Sequence, residues 1–309
     1  MTTTPTDAPG LHGIWPALMT PLDATLAIDH ARFAAHACTL LEAGCAGVTP
    51  FGTTGEGPSF SVAERRAAVD ALIDGGVPAA RILVSVSCAA LPDAVALVRH
   101  AQEVGAWGVL LMPPFFFKGV SDAGVVECYR QVLDATADRP LRLVLYHIPQ
   151  VSAVSLSHGV IAELLRRWPR RIVAIKDSAC DRAQSLALAQ AFMPPLGVHV
   201  GNELDLPALA QRGSRGAVSG LANFMPRVVH RLATESDAAR TAAEHARVER
   251  LLAWLGGYAL IPALKAVMAA QTGDAAWLRV RPPLAALDAD RFETFCRELA
   301  AHGLNPAHD

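Results

Sequence analysis

The chain has 309 residues, a formal net charge of −2 at pH 7 and 52% hydrophobic residues. That length holds two ordinary domains or one α/β barrel. The balanced charge, with no basic stripe and no acidic tail, excludes a nucleic-acid surface, and no apolar run reaches the roughly 18 residues of a membrane span.

The first ten residues, MTTTPTDAPG, are polar and lack the apolar centre of a signal peptide, so 1–10 reads as a flexible tail. Short apolar runs then recur at 13–21, 47–53, 82–87, 108–114, 141–149, 172–178, 197–203 and 216–223. Between them lie helix signals. SVAERRAAVDALIDGG opens on a Ser61–Glu64 capping box and stops at Gly75. PDAVALVRHAQEVG spaces Val95, Leu97, Val98, Ala101 and Val104 helically and stops at Gly105. SDAGVVECYRQVLDAT starts at Ser121 and aligns Val125, Tyr129 and Val132. Eight strands alternating with helices predict a closed parallel (β/α)8 barrel over 11–235. The mostly helical remainder, 236–309, is expected to pack on the barrel as a C-terminal extension.

The competing doubly wound fold usually carries a phosphate loop. Neither G-x-G-x-x-G nor a Walker A pattern occurs, and the glycines of GTTGEG are wrongly spaced, so no nucleotide is expected. The six cysteines form no C-x-x-C pair and read as small hydrophobes of a reducing cytoplasm, with neither disulfide nor metal role.

One run conflicts with its own pattern. Ile172, Val173, Ala174 and Ile175 read as a strand buried on both faces, yet Lys176 follows directly. Lysine is scarce here, occurring only at 118, 176 and 265. Strand alternation puts Ala174 and Lys176 on one face, and Val144 and Tyr146 on one face of the preceding strand. If both faces are the barrel interior, Lys176 and Tyr146 share a cavity at the strand C-termini, where barrel active sites lie. Burial favours the neutral amine, which attacks carbonyl carbon, and a nearby phenol can carry protons. The bland alternative makes Lys176 an ion-pair partner of Asp177 or Glu203. His147 should face away from Tyr146, as a satisfied structural histidine. His199 and Glu203 share parity and could meet substrate or support it. Lys118 and Lys265 read as solvated or capping side chains.

Five motifs together resemble the dihydrodipicolinate synthase / N-acetylneuraminate lyase family of pyruvate-dependent class I aldolases. They are G-T-T-G-E at 52–56, the prolines at 113–114 before aromatics, Y-x-I-P at 146–149, I-K-D at 175–177 and G-x-x-G-x-x-S at 213–219. The resemblance implies that Lys176 forms an imine, Tyr146 is acid and base, and Thr53 relays its protons. It implies further that Thr53, Thr54 and Gly55 form the loop that holds the substrate carboxylate, and that the Val218 carbonyl lines the site. No metal or bound cofactor is implied, and the assembly implied is a dimer of dimers.

The departures concern specificity. Synthases of the family carry P-Y-Y-N where this chain has Pro114-Phe115-Phe116-Phe117, and an arginine where this chain has Val151. Phe116 lacks the relay hydroxyl, and Val151 cannot pair with a carboxylate. Phe116, Val151 and Glu203 are therefore expected to shape a pocket for an aldehyde without a carboxylate at that spot. The same resemblance puts a lysine feedback site near 57–65 and 115, where Arg65 and Phe115 replace the expected partners. The expected reaction is cleavage of a 2-oxo-4-hydroxy acid, such as a 2-keto-3-deoxy sugar acid, to pyruvate and an aldehyde. Synthase-like condensation, imine-dependent dehydration or deamination, and a non-catalytic ketoacid sensor are the alternatives. A sensor has little need of an activated amine.

Overall fold

The structure, a computed structural model, describes residues 11–302. The tail expected at 1–10 lies outside the described residues, as do residues 303–309.

Eight strands form one parallel sheet: β1 Gly13–Leu18, β2 Thr49–Pro50, β3 Leu83–Ser85, β4 Gly108–Leu111, β5 Leu143–His147, β6 Ile172–Asp177, β7 Gly197–Val200 and β8 Gly216–Ser219. Their order is β2-β1-β8-β7-β6-β5-β4-β3. A single parallel bridge, Val48 to Ile82, brings the two end strands together, so the sheet curls into a nearly closed TIM barrel. Each apolar run read from the sequence contains one strand, and every run continues past its strand's C-terminal end.

The helices are α1 His30–Glu42, α2 Val62–Asp74, α3 Leu91–Glu103, α4 Asp122–Ala135, α5 Pro149–Ser152, α6 His158–Arg167, α7 Arg182–Phe192, α8 Leu206–Ala210, α9 Pro226–Thr234, α10 Ala238–Leu255, α11 Leu260–Thr272 and α12 Ala289–Ala301. The Ser61–Glu64 capping box is formed at the start of α2, and Ser121 caps α4 by accepting the Gly124 N–H. The last three helices follow the barrel, and Leu251, Leu255 and Phe295 join its outer core. No single helix among the described residues is long and apolar enough to cross a membrane.

Strand alternation divides the apolar side chains into two packed groups. Trp15, Leu83, Leu110, Val144, Tyr146, Ala174 and Val218 fill the barrel interior. Val109, Leu143, Leu145, Ile172 and Ile175 pack outward against the helices. Between β5 and β6 the register shifts: Leu143 pairs with Ile172, but Val144 pairs with Ala174. The uncounted residue, Val173, is a bulge. Above it Tyr146 pairs with Lys176 and His147 with Asp177.

Candidate active site

Lys176 and Tyr146 stand side by side on neighbouring strands, 5% and 2% exposed. The Lys176 Nζ lies 4.4 Å from the centroid of the Tyr146 ring. Among the described residues no carboxylate comes within ion-pair distance of it, so the ion-pair reading of Lys176 does not hold. Asp177 is turned the other way. Its Oδ1 meets His147 Nδ1 at 3.0 Å and its Oδ2 accepts Ser185 Oγ at 2.6 Å from α7. The His147–Asp177 pair thus braces the outer face of the two strands whose inner face carries Tyr146 and Lys176. Gly201 leaves room for the lysine, because a Cβ there would lie 3.1 Å from Lys176 Cε and 2.2 Å from Ser178 Oγ.

The Tyr146 hydroxyl meets Thr53 Oγ1 at 3.0 Å. Thr53 belongs to the loop after β2, which is tightly wound. Gly57 N–H donates to Gly52 O, Glu56 N–H to Thr53 O, and Thr20 Oγ1 to Gly55 O. A Cβ at Gly55 would come within 2.5 Å of the Leu18 carbonyl oxygen, so only glycine fits. Phe51 and Glu56, at the two ends, adopt φ of 62° and 56°. Each such left-handed residue costs about 1–2 kcal/mol and persists only where its surroundings hold it. The Phe51 ring is held by Phe33 and Phe60, each 5.9 Å away. Thr54, which is buried, lies beside Gly220 at the end of β8, and Val218 is wholly buried on that strand.

Glu56 corrects one expectation. Its carboxylate contacts the Nζ of Lys265 on α11, and neither side chain exceeds 1% exposure. Lys265, read as a solvated or capping side chain, lies in the interior and also donates to the Arg279 carbonyl at 2.7 Å. Burial holds its ammonium below the ordinary lysine value, against the opposing pull of Glu56. The sequence of α11 carried the signal, since LIPALKAVMAA is apolar on all sides, the mark of a buried helix. Lys118 does cap: its Nζ donates to the carbonyls of Phe115 and Ser152.

The other expected residues fall into two groups. Glu203 is buried near Lys176. One of its oxygens accepts Ser219 Oγ at 2.6 Å and Leu221 N–H at 3.2 Å, while burial raises its carboxyl above the usual range. His199 gives its Nδ1 to the contact with Gly216 O, 3.1 Å, and burial lowers it to about 4. Phe116, 72% exposed, lies on the loop after β4, and Val151, 50% exposed, lies in α5 after β5. Arg65, which stands where the family's feedback site has a binding partner, is 2% exposed and spends its guanidinium on the carbonyls of Ser85 and Ser87. Sequence reading missed Asn223. It donates to Ala17 O at 2.9 Å and accepts Met19 N–H at 3.0 Å, tying β1 to the end of β8. No group of three or more possible metal ligands occurs among the described residues.

Fold and site together define a barrel lyase of the class I aldolase type. Residues 10–302 match the dihydrodipicolinate synthetase family, and the chain belongs to that family. An uncharacterised DapA-like lyase of Halobacterium salinarum is 33% identical over 304 residues, covering 96% of each chain. The crystal structure of dihydrodipicolinate synthase from Agrobacterium tumefaciens is similar at 30% identity, with TM-score 0.88 over 94% of this chain and 99% of that one. A variant of the Sulfolobus solfataricus 2-keto-3-deoxygluconate aldolase shares the fold, with TM-score 0.84 and 20% identity over 94% of this chain and 96% of that one.

Proposed function

We propose that this enzyme cleaves a 2-oxo-4-hydroxy acid, of the 2-keto-3-deoxy sugar acid kind, to pyruvate and an aldehyde through an imine on Lys176. The observation that carries the reading is a buried lysine with no carboxylate partner, set over a tyrosine whose hydroxyl is bonded to Thr53. Lys176 Nζ attacks C2 of the ketoacid and water leaves. Tyr146, relayed by Thr53, takes the proton of the 4-hydroxyl. The C3–C4 bond breaks, the aldehyde departs, and its electron pair enters the imine to give an enamine. Protonation at C3 and hydrolysis then release pyruvate and restore the amine. The imine is the electron sink, so the reaction needs neither metal nor bound cofactor. Thr53, Thr54 and Gly55 hold the ketoacid carboxylate, and the Val218 carbonyl lines the cavity. Glu203 faces the remaining part of the substrate, while Phe116 and Val151 border the aldehyde side.

Synthase-type condensation is the second reading, favoured by the 30% identity to the Agrobacterium enzyme. Against it, Val151 supplies no charge for a second carboxylate and Phe116 no hydroxyl. Exposed Phe116 and Phe117 fit a face covered by another copy in a dimer of dimers. Six free cysteines fit a cytoplasmic location.

Borohydride with pyruvate should add one reduced pyruvyl group, seen by intact-protein mass spectrometry, and Lys176→Ala should abolish it. An adduct that persists in that variant overturns the assignment. Pyruvate released from a 2-keto-3-deoxy sugar acid, with an equal amount of aldehyde, separates cleavage from dehydration.

A further inference from the structure

The loop from Gly52 to Glu56 meets the C-terminal helices directly at Glu56 and indirectly through Gly220. Lys265 of α11 contacts Glu56, the last residue of the loop. Its neighbour Leu264 and the Thr54 side chain flank Gly220, where an added Cβ would lie 3.9 Å from Leu264 Cδ1 and 3.3 Å from Thr54 Oγ1. The carboxylate of Glu56 has no other hydrogen-bond partner among the described residues. Its backbone sits at a φ of 56°, which an unrestrained glutamate leaves readily. Within the loop, Glu56 N–H is bonded to Thr53 O, so moving Glu56 moves the threonine that touches Tyr146.

We infer that Glu56 and Lys265 are positioning residues for the ketoacid carboxylate: the C-terminal extension, through this buried ion pair, holds the loop in its binding shape. Neither residue touches the reacting atoms. The inference rests on the imine reading of Lys176, and its test separates the two.

The test compares two ketones as imine formers on Lys176, trapped with borohydride and counted by mass. Acetone carries a methyl group where pyruvate carries its carboxylate. In the unaltered enzyme pyruvate should half-saturate trapping at far lower concentration than acetone. In Lys265→Met the half-saturating pyruvate concentration should rise about 10–100-fold, the worth of one or two bonds to a charged group, while acetone changes less than about twofold. Should that variant fail to fold, Glu56→Gln with Lys265→Met removes both buried charges and serves the same comparison. Half-saturation by pyruvate that stays unchanged in a folded variant overturns the proposal. So does an equal shift for both ketones, which marks a general structural loss. An unaltered enzyme that forms no adduct on Lys176 with either ketone overturns the imine reading and the proposal with it.

Discussion

Lys176 and Lys265 both lie in the interior, yet their surroundings differ in kind. Lys265 stands in a helix of the C-terminal extension with a carboxylate against its nitrogen and a carbonyl accepting from it. Lys176 stands on a barrel strand with an aromatic face and a flat glycine wall. A buried cation that is paired and hydrogen-bonded is fixed, and its removal strands its partner. The Lys176 amine has no carboxylate within ion-pair distance among the described residues, so no salt bridge fixes where it points. Burial alone therefore does not distinguish the two lysines; the partner does.

Exchanging each lysine for methionine should separate the two environments. Lys176→Met should lose turnover by about 10⁴-fold or more while stability stays within about 1 kcal/mol of the parent. Lys265→Met should lose about 3–5 kcal/mol of stability, because Glu56 is left charged and alone, and adding Glu56→Gln should recover most of it. Urea melts and steady-state kinetics on the same preparations test both. Equal destabilisation by the two substitutions would erase the distinction.

Tyr146→Phe keeps the ring under Lys176 and deletes only the hydroxyl that meets Thr53. Imine trapping should survive, and turnover should fall by about 10²–10⁴-fold. Unchanged turnover would mean that another group moves the proton.

The smallest effect concerns a third way of burying a base, which is to leave it neutral. Burial lowers His36 and His199 to about 4, from an ordinary 6.5. As pH falls, the unfolded chain takes up protons that the folded one refuses, so stability drops from pH 6.5 toward pH 4 and is complete above that window. The drop between pH 7 and pH 5 should be on the order of 2 kcal/mol per histidine. His199→Asn, which keeps a donor for Gly216 O, should reduce it. A urea midpoint equal at the two pH values would contradict the assignment.

Much of this was legible in the sequence because strand alternation is rigid. Period two put Val144, Tyr146, Ala174 and Lys176 on inner faces, and the structure gathers them there. His147 and Asp177, one step on, point outward for the same reason. The α2 and α4 starts were readable from Ser61 and Ser121 because a cap is a local hydrogen bond. Glu56 and Lys265 were not legible as a pair, since nothing local joins a turn after the second strand to a helix beyond the eighth. The burial of Arg65 was illegible for a related reason: the strand-end carbonyls that draw it inward come from distant sequence. The exposure of Phe116 and Val151 depends on loop paths, which hydrophobic periodicity does not encode.

The bulge at Val173 has a further consequence. In a regular ladder, the phase of side chains at the top of a strand is inherited from its base, and adding one residue turns every later side chain around. Here the phase is reset inside β6, below the chemistry. The upper half of the strand then keeps time with β5 and not with its own beginning. A change of one residue in the length of the segment feeding β6 can be absorbed at that joint, and the amine still faces inward.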